Sequence, residues 1–153
     1  MGGVLYENKK PLRWFATHLT PELLMKFGAS TGDSGFNTLW EAVALLIACR
    51  LWLGRTIRGF GVRLRSDNVG ALRTFFKLAA GSSNLNVVAR EVALDLALKN
   101  YRLTELSHIP GITNVTSDAL SRLWSPDPKP FPNLGSATKD VVPHMGTDFW
   151  RVS

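Results

Sequence analysis

Cysteine is almost absent from this chain of 153 residues: Cys49 is the only one. A single thiol builds neither a disulfide nor a cysteine-based zinc site, and a reduced, intracellular setting fits. Its place inside an apolar run marks it as a small core residue. Long hydrophobic runs are lacking too. The apolar stretch 42–48 is stopped by Arg50, far short of the ~20 residues that span a bilayer, so no membrane partner is expected. The N-terminus, M-G-G-V-L-Y-E-N-K-K, has no apolar core of a secretory signal. Position six is Tyr6, not Ser or Thr, so a myristoylation signal does not fit either. The three histidines, His18, His108 and His144, are too scattered to suggest zinc. The Gly-rich loop G-A-S-T-G-D-S-G is not followed by Lys-Ser/Thr and is no phosphate-cradling loop, and no G-x-S-x-G supports a serine nucleophile.

Acid is scarce in one region above all. Between Arg50 and Arg90 lie Arg50, Arg55, Arg58, Arg63, Arg65, Arg73, Lys77 and Arg90, against Asp67 alone. The whole chain has 18 Lys+Arg against 12 Asp+Glu, a net +6, which points to a polyanionic partner. A lone carboxylate in a basic field suits a groove that holds nucleic acid around a metal, and equally a solvated basic face with one strand-end acid.

What is present is a foldable domain. Hydrophobic residues make up 45% of the chain and there are five Trp, enough for a real core. Residues 3–6 and 12–16 read as strands around the polar turn 7–11, a hairpin. Thr20-Pro21-Glu22 signals a helix start, followed by a Gly/Ser-rich loop. Asn37 or Thr38 is placed to cap a helix that runs through Glu41 to about Trp52; it is apolar nearly all round and should be buried. Residues 61–65 alternate as a strand ending at Ser66-Asp67-Asn68. A helix over 68–80 closed by Gly81 follows, then one from 82–84 to about 101, with Asp95 and Lys99 as an i,i+4 pair. Residues 102–109 alternate as a strand stopped by Pro110-Gly111, and 115–124 form a last helix. Strands interleaved with helices imply an α/β layer fold. From Ser125 the composition changes, with four prolines in the seven residues 126–132. The expected organisation is a domain over 1–124 and an extended Pro-rich linker or tail over 125–153, whose Phe149 and Trp150 either dock or hang free.

Three carboxylates stand out. Glu41 lies at a helix start in F-N-T-L-W-E-A, where the helix dipole alone would favour an acid. Asp67 ends a strand in V-R-L-R-S-D-N, where ligands of open α/β sheets gather, though a turn or cap Asp is equally common there. Asp118 lies one turn into the last helix in N-V-T-S-D-A-L, beside Asn114, and also reads as a capping group. Acids from distant segments are what a two-metal phosphodiester-cleaving site needs, because Mg²⁺ takes oxygen ligands and two ions ~3.5–4 Å apart stabilise both the attacking and leaving oxygens. His108, at a strand end, reads as a proton shuttle or phosphate contact, or as a structural residue. Asp33, Asp95, Glu22 and Glu91 are assigned to solvent or to ion pairs.

Four stretches, G-G-V-L, W-E-A-V-A-L-L, S-D-N-V-G-A-L and H-I-P-G-I-T-N-V-T-S-D-A-L-S-R-L, resemble the ribonuclease H domains of reverse transcriptases from LTR-type and related retroelements. They span roughly residues 2–123. The resemblance implies a ribonuclease-H-like mixed sheet flanked by helices, and Mg²⁺- or Mn²⁺-dependent cleavage of the RNA strand of an RNA–DNA hybrid. It also implies polymerase- or integrase-type domains linked in a parent polyprotein. It assigns Glu41, Asp67 and Asp118 as catalytic metal ligands. Arg65, Asn68, Arg73, Lys77, His108 and Asn114 follow as candidates for contact with nucleic acid. The chain departs from the family at its front. Such domains carry an Asp-bearing strand before G-G-V-L; here Met1 stands in its place, and Glu7 lies in the following turn. The expectation is a metal site short of one ligand, a sheet without its central strand, weak nuclease activity, and a truncated gene model or fragment. A non-catalytic nucleic-acid-binding module of the same fold is the alternative.

Overall fold

The computed structural model describes residues 1–53, 61–98 and 102–152. The chain opens with β1 (Gly2–Glu7) and β2 (Lys10–Ala16), paired antiparallel. Asn8 and Lys9 turn the hairpin with φ of 51° and 65°, the left-handed pair that a two-residue turn matched to strand twist requires. Helix α1 (Pro21–Phe27) follows, with the Thr20 side chain accepting from Leu23 N, Pro21 in the first turn, and Gly28 closing it at φ 61°.

Helix α2 (Asn37–Trp52) is the axis of the core. Leu39, Trp40, Val43, Leu45, Leu46 and Ile47 are all buried, which the all-round apolar pattern predicts. Its start differs from the expected cap. A 3₁₀ turn over Ser34–Phe36, itself capped by Asp33 on Gly35 N, runs straight into α2, so neither Asn37 nor Thr38 caps it.

Strand β3 (Gly61–Ser66) leads to α3 (Val69–Lys77), whose cap is Asn68, accepting from Ala71 N at 3.0 Å. The helix stops at Lys77 rather than running on to Ala80. Leu78, at φ 52°, takes the left-handed role expected of Gly81, and Ala80 N is diverted to Asn86 Oδ1 at 2.8 Å. Then come α4 (Ser83–Leu98), β4 (Arg102–His108), a 3₁₀ turn over Gly111–Thr113 and α5 (Val115–Ser121). The expected Asp95–Lys99 pair falls outside the described residues.

The class is α/β, with mixed sheets flanked by helices. The sheet, however, is in two pieces. One holds β1, β2 and a short β5 (Thr138–Lys139), which lies parallel to β2. The other holds β3 and β4, parallel to each other. Strand β1 is therefore an edge of the first sheet and β3 an edge of the second. Helix α5 covers β1 so closely that a side chain on Gly2 would meet Leu120 Cβ at 2.6 Å.

The C-terminal segment docks, one of the two alternatives left open for its Phe149 and Trp150. Its Pro-rich start is largely exposed, and beyond it buried anchors alternate with exposed residues. Leu134 joins a small core with Ala16 and Leu120, and Met145, Phe149 and Trp150 enter the main core. Asp140 accepts from Arg13 Nε at 2.7 Å and Trp52 Nε1 at 2.8 Å, fastening the segment beside β2. Glu91 and Asp95 of α4, both 0% exposed, are in ion pairs. Arg50 of α2 donates to Asp95 at 2.8 Å and to Glu91 at 2.5 Å, and also to the Phe149 carbonyl. Arg151 pairs with Asp95 and Val152 N donates to Glu91 at 2.5 Å. Two inward carboxylates on one helix cannot stay charged in a core without such partners, so the tail is part of the domain. No helix among the described residues is long and apolar enough to cross a membrane.

Arg50→Met should lower the unfolding free energy by ~3–5 kcal/mol, because it leaves buried charge uncompensated. Arg151→Met, at a side chain 34% exposed, should cost less, ~1.5–3 kcal/mol. Urea denaturation of both variants checks the order; equal losses would show that the tail carries as much of the charge compensation as α2.

Candidate nucleic-acid interface and carboxylate site

The three carboxylates come from α2, the end of β3 and α5, and the fold brings them together. Ser66 is the hinge of the arrangement. It ends β3, its Oγ lies 3.5 Å from Glu41 Oε2 as donor, and the same Oγ accepts from Asn68 N at 3.1 Å. Asp67 between them is held from the other side by the loop after β4. Ile109 N donates to Ser66 O at 3.1 Å, and His108 Nε2 lies 3.2 Å from the Asp67 carbonyl. The Gly111 backbone closes in, so that a Cβ there would stand 3.4 Å from Asp67 Oδ2.

Glu41 is the fifth residue of α2, past the first turn, so the helix-dipole explanation for an acid there fails. Its carboxyl is pushed above the ordinary value, first by burial, then by the Asp67 charge, with Asp118 adding to it. The Met1 amine and the Ser66 hydroxyl pull the other way. That amine donates to Thr17 O at 2.7 Å, and burial lowers its own pKa. The perturbation of one acid by two others, 26 and 77 positions away in the chain (67 − 41 and 118 − 41), is the electrostatic mark of a cluster.

Asp118 behaves differently. Its first-turn position in α5 does not make it a cap; Oδ1 accepts from Arg122 Nε at 2.8 Å and Oδ2 from Lys129. Burial alone would raise it, but these two cations outweigh burial and hold the carboxyl below its usual range. Among the described residues no group of three or more His, Cys, Asp or Glu is placed to hold a metal ion. The carboxylates share one region without forming a ligand shell, and the arrangement does not fit the Mg²⁺ or Mn²⁺ that the sequence suggests.

The expected nucleic-acid contacts divide. Arg65, Arg73, Lys77 and Arg90 are exposed. Arg73 and Lys77 line a cleft of about 430 Å³ between α3 and α4, together with Gly70, Thr74 and Gly81. At Gly70, on the edge of that cleft, a Cβ would lie 2.8 Å from Thr38 Cγ2, so only glycine allows α2 and α3 to approach so closely. Asn68 is committed to structure: its Oδ1 caps α3 and its Nδ2 donates to Thr38 Oγ1 at 3.2 Å. Asn114 caps α5 through its backbone only, with Asp118 N donating to Asn114 O. Two members of the basic field drop out of it, since Arg50 is buried in ion pairs and Arg63 pairs with Glu105 at 2.9 Å. Arg55 and Arg58 lie outside the described residues.

Three participants escaped the sequence reading. Arg122 carried a signal, its i,i+4 spacing from Asp118. Ser66 and Lys129 carried none, one being a common strand-end residue and the other sitting in a stretch that reads as a linker.

A carboxyl whose pKa is raised by folding binds its proton more tightly in the native state. Its contribution favours folding at low pH and is lost as pH rises from the ordinary carboxylate value through the raised one. Glu41→Gln should therefore be more stable than the parent at pH 7 and gain nothing at pH 4. Urea midpoints at both values check this, and an equal loss at both would show that Glu41 serves the fold. The chain matches no known family model, no curated protein and no solved structure at a significant level.

Proposed function

We propose that this chain is a ribonuclease-H-like domain of a retroelement reverse transcriptase that engages RNA–DNA hybrids, with Glu41, Asp67 and Asp118 as its carboxylate set. The observation that carries the reading is the convergence of those three acids, from three separate elements, close enough that Asp67 and Asp118 both raise the Glu41 pKa. Nothing in packing needs acids from three elements in one neighbourhood, where Asp67 and Asp118 oppose the ionisation of Glu41. Exposed Arg65 on β3, with Arg73 and Lys77 in the cleft along α3, supplies cations suited to phosphates on the two elements that flank Asp67. Linked polymerase- or integrase-type domains of a polyprotein belong to the same reading.

Hydrolysis of the RNA strand with Mg²⁺ or Mn²⁺ is the activity such a set serves when its ligand shell is complete. Here both Asp118 oxygens are occupied by protein cations, and among the described residues no group of three or more acids is placed to hold a metal. Cleavage by this chain is accordingly weak, and these observations favour the second reading, a module that binds nucleic acid without cutting it.

The deciding experiment uses a labelled RNA–DNA hybrid with the chain and its Asp118→Asn variant, in Mg²⁺ and in Mn²⁺. Metal-dependent cleavage that Asp118→Asn abolishes establishes the enzyme. Binding without cleavage, weakening steeply as salt rises, establishes the binding module. Arg73→Ala/Lys77→Ala should then reduce affinity by roughly tenfold at low salt and flatten the salt dependence. Absence of both cleavage and binding overturns the proposal.

A further inference from the structure

Asp118 is the member of the carboxylate set with each oxygen taken by a cation. Arg122 is a local partner, one turn along α5. Lys129 is not: it comes from the Pro-rich stretch, between Pro128 and Pro130. Proline fixes φ and favours an extended backbone, so the lysine is presented at a set reach, and less backbone freedom is lost when it docks. The stretch is fastened at both ends. Ser125 Oγ donates to Arg122 O at 2.9 Å, and the Phe131 ring meets Trp14 edge-on at 5.4 Å. Between those points Lys129 reaches back to Asp118.

We propose that Lys129 is a built-in cationic latch: its ammonium occupies the position at Asp118 that a divalent cation would need, and it holds the Pro-rich strap against the carboxylate set. The disagreement between three clustered acids and the lack of a metal-holding arrangement then has a cause within the chain. Asp118 is already satisfied, and its Oδ2 becomes free only when the strap lets go, while Oδ1 stays with Arg122. The competition with a divalent cation rests on the functional reading above; the tethering of the strap does not. The ion pair is half-exposed, at 47% for Lys129 and 21% for Asp118. Its removal should change cation affinity by roughly two- to fivefold, which sets a threshold rather than a block.

The test uses the full chain, Lys129→Ala, Lys129→Arg and Asp118→Asn, with two readouts. The first is ¹⁵N relaxation at the amides of Asp127, Lys129 and Phe131, which reports ps–ns mobility. Lys129→Ala and Asp118→Asn should loosen the strap, while Lys129→Arg keeps it ordered. The second is Mn²⁺ binding followed by electron paramagnetic resonance at low salt. Lys129→Ala should bind roughly two- to fivefold more tightly than the parent, Lys129→Arg should match the parent, and Asp118→Asn should lose binding. A strap that stays as ordered in Lys129→Ala and Asp118→Asn as it is in the parent overturns the latch. Equal Mn²⁺ affinity in the parent and Lys129→Ala overturns the competition. Failure of every variant to bind Mn²⁺ overturns the competition and the metal-site reading together, while the relaxation data still decide the tether.

Discussion

Glu91 and Asp95 lie one turn apart on α4 and face inward, out of all contact with water. Such a pair is tolerable only with cations delivered to it, and it receives two: Arg50 from α2 and Arg151 from the C-terminal segment. Three parts of the chain thus meet at one polar point within an apolar core. The guanidinium of Arg50 also donates to the Phe149 carbonyl and lies over the Phe149 ring, 4.5 Å from its centre. Because the partners of a buried charge must stay in place, this network fixes how α2 and α4 pack and obliges the last residues to return to the body. The aromatic packing of Phe149 and Trp150 against Phe27 follows from that return.

Much of this was legible beforehand because short-range rules decide it. The apolar surround of α2, the alternation of β3, the hairpin and the Thr20-Pro21 start of α1 are all set within a few residues; the cap of α3 fell on Asn68 rather than on Asp67. What was hidden depends on partners remote in sequence. Arg50 looks like the other members of a basic run, and only the inward turn of Glu91 and Asp95 distinguishes it. The prolines at 126–132 do form an exposed stretch, but proline content says nothing about what lies beyond it, where Phe149 and Trp150 find the core. Leu78 takes the left-handed cap two residues before Ala80 N meets Asn86, and no local signal marks a leucine for that.

The carboxylate site shows the same division. Glu41, Asp67 and Asp118 were visible as residues in suggestive flanks, and the fold places them in one electrostatic neighbourhood. Their ligation state was not visible, because it depends on Ser66 and Arg122, which lie in the motifs without an assigned role, and on Lys129, which lies outside them. The split between the two sheets bears on this. Strand β1 leads out from Met1 and β3 leads into Asp67, yet the two are not hydrogen-bonded to one another. Glu41 is bordered by the Met1 amine on one side and Ser66 on the other, so its burial depends on both pieces keeping their places around α2.

Charge compensation therefore works at two points by opposite rules. In the core, Glu91 and Asp95 are fully desolvated, and losing a partner costs stability because nothing can replace it. At the carboxylate site the acids are only partly buried and water can enter, so a partner can be exchanged at small cost. The C-terminal segment supplies a cation to each, Arg151 to the core pair and Lys129 to Asp118. One end of the segment is thus anchored firmly and the other lightly. A strap built in that way can release Asp118 Oδ2 without unfolding the domain, because the residues that hold it in the core, from Leu134 on to Phe149 and Trp150, lie further along.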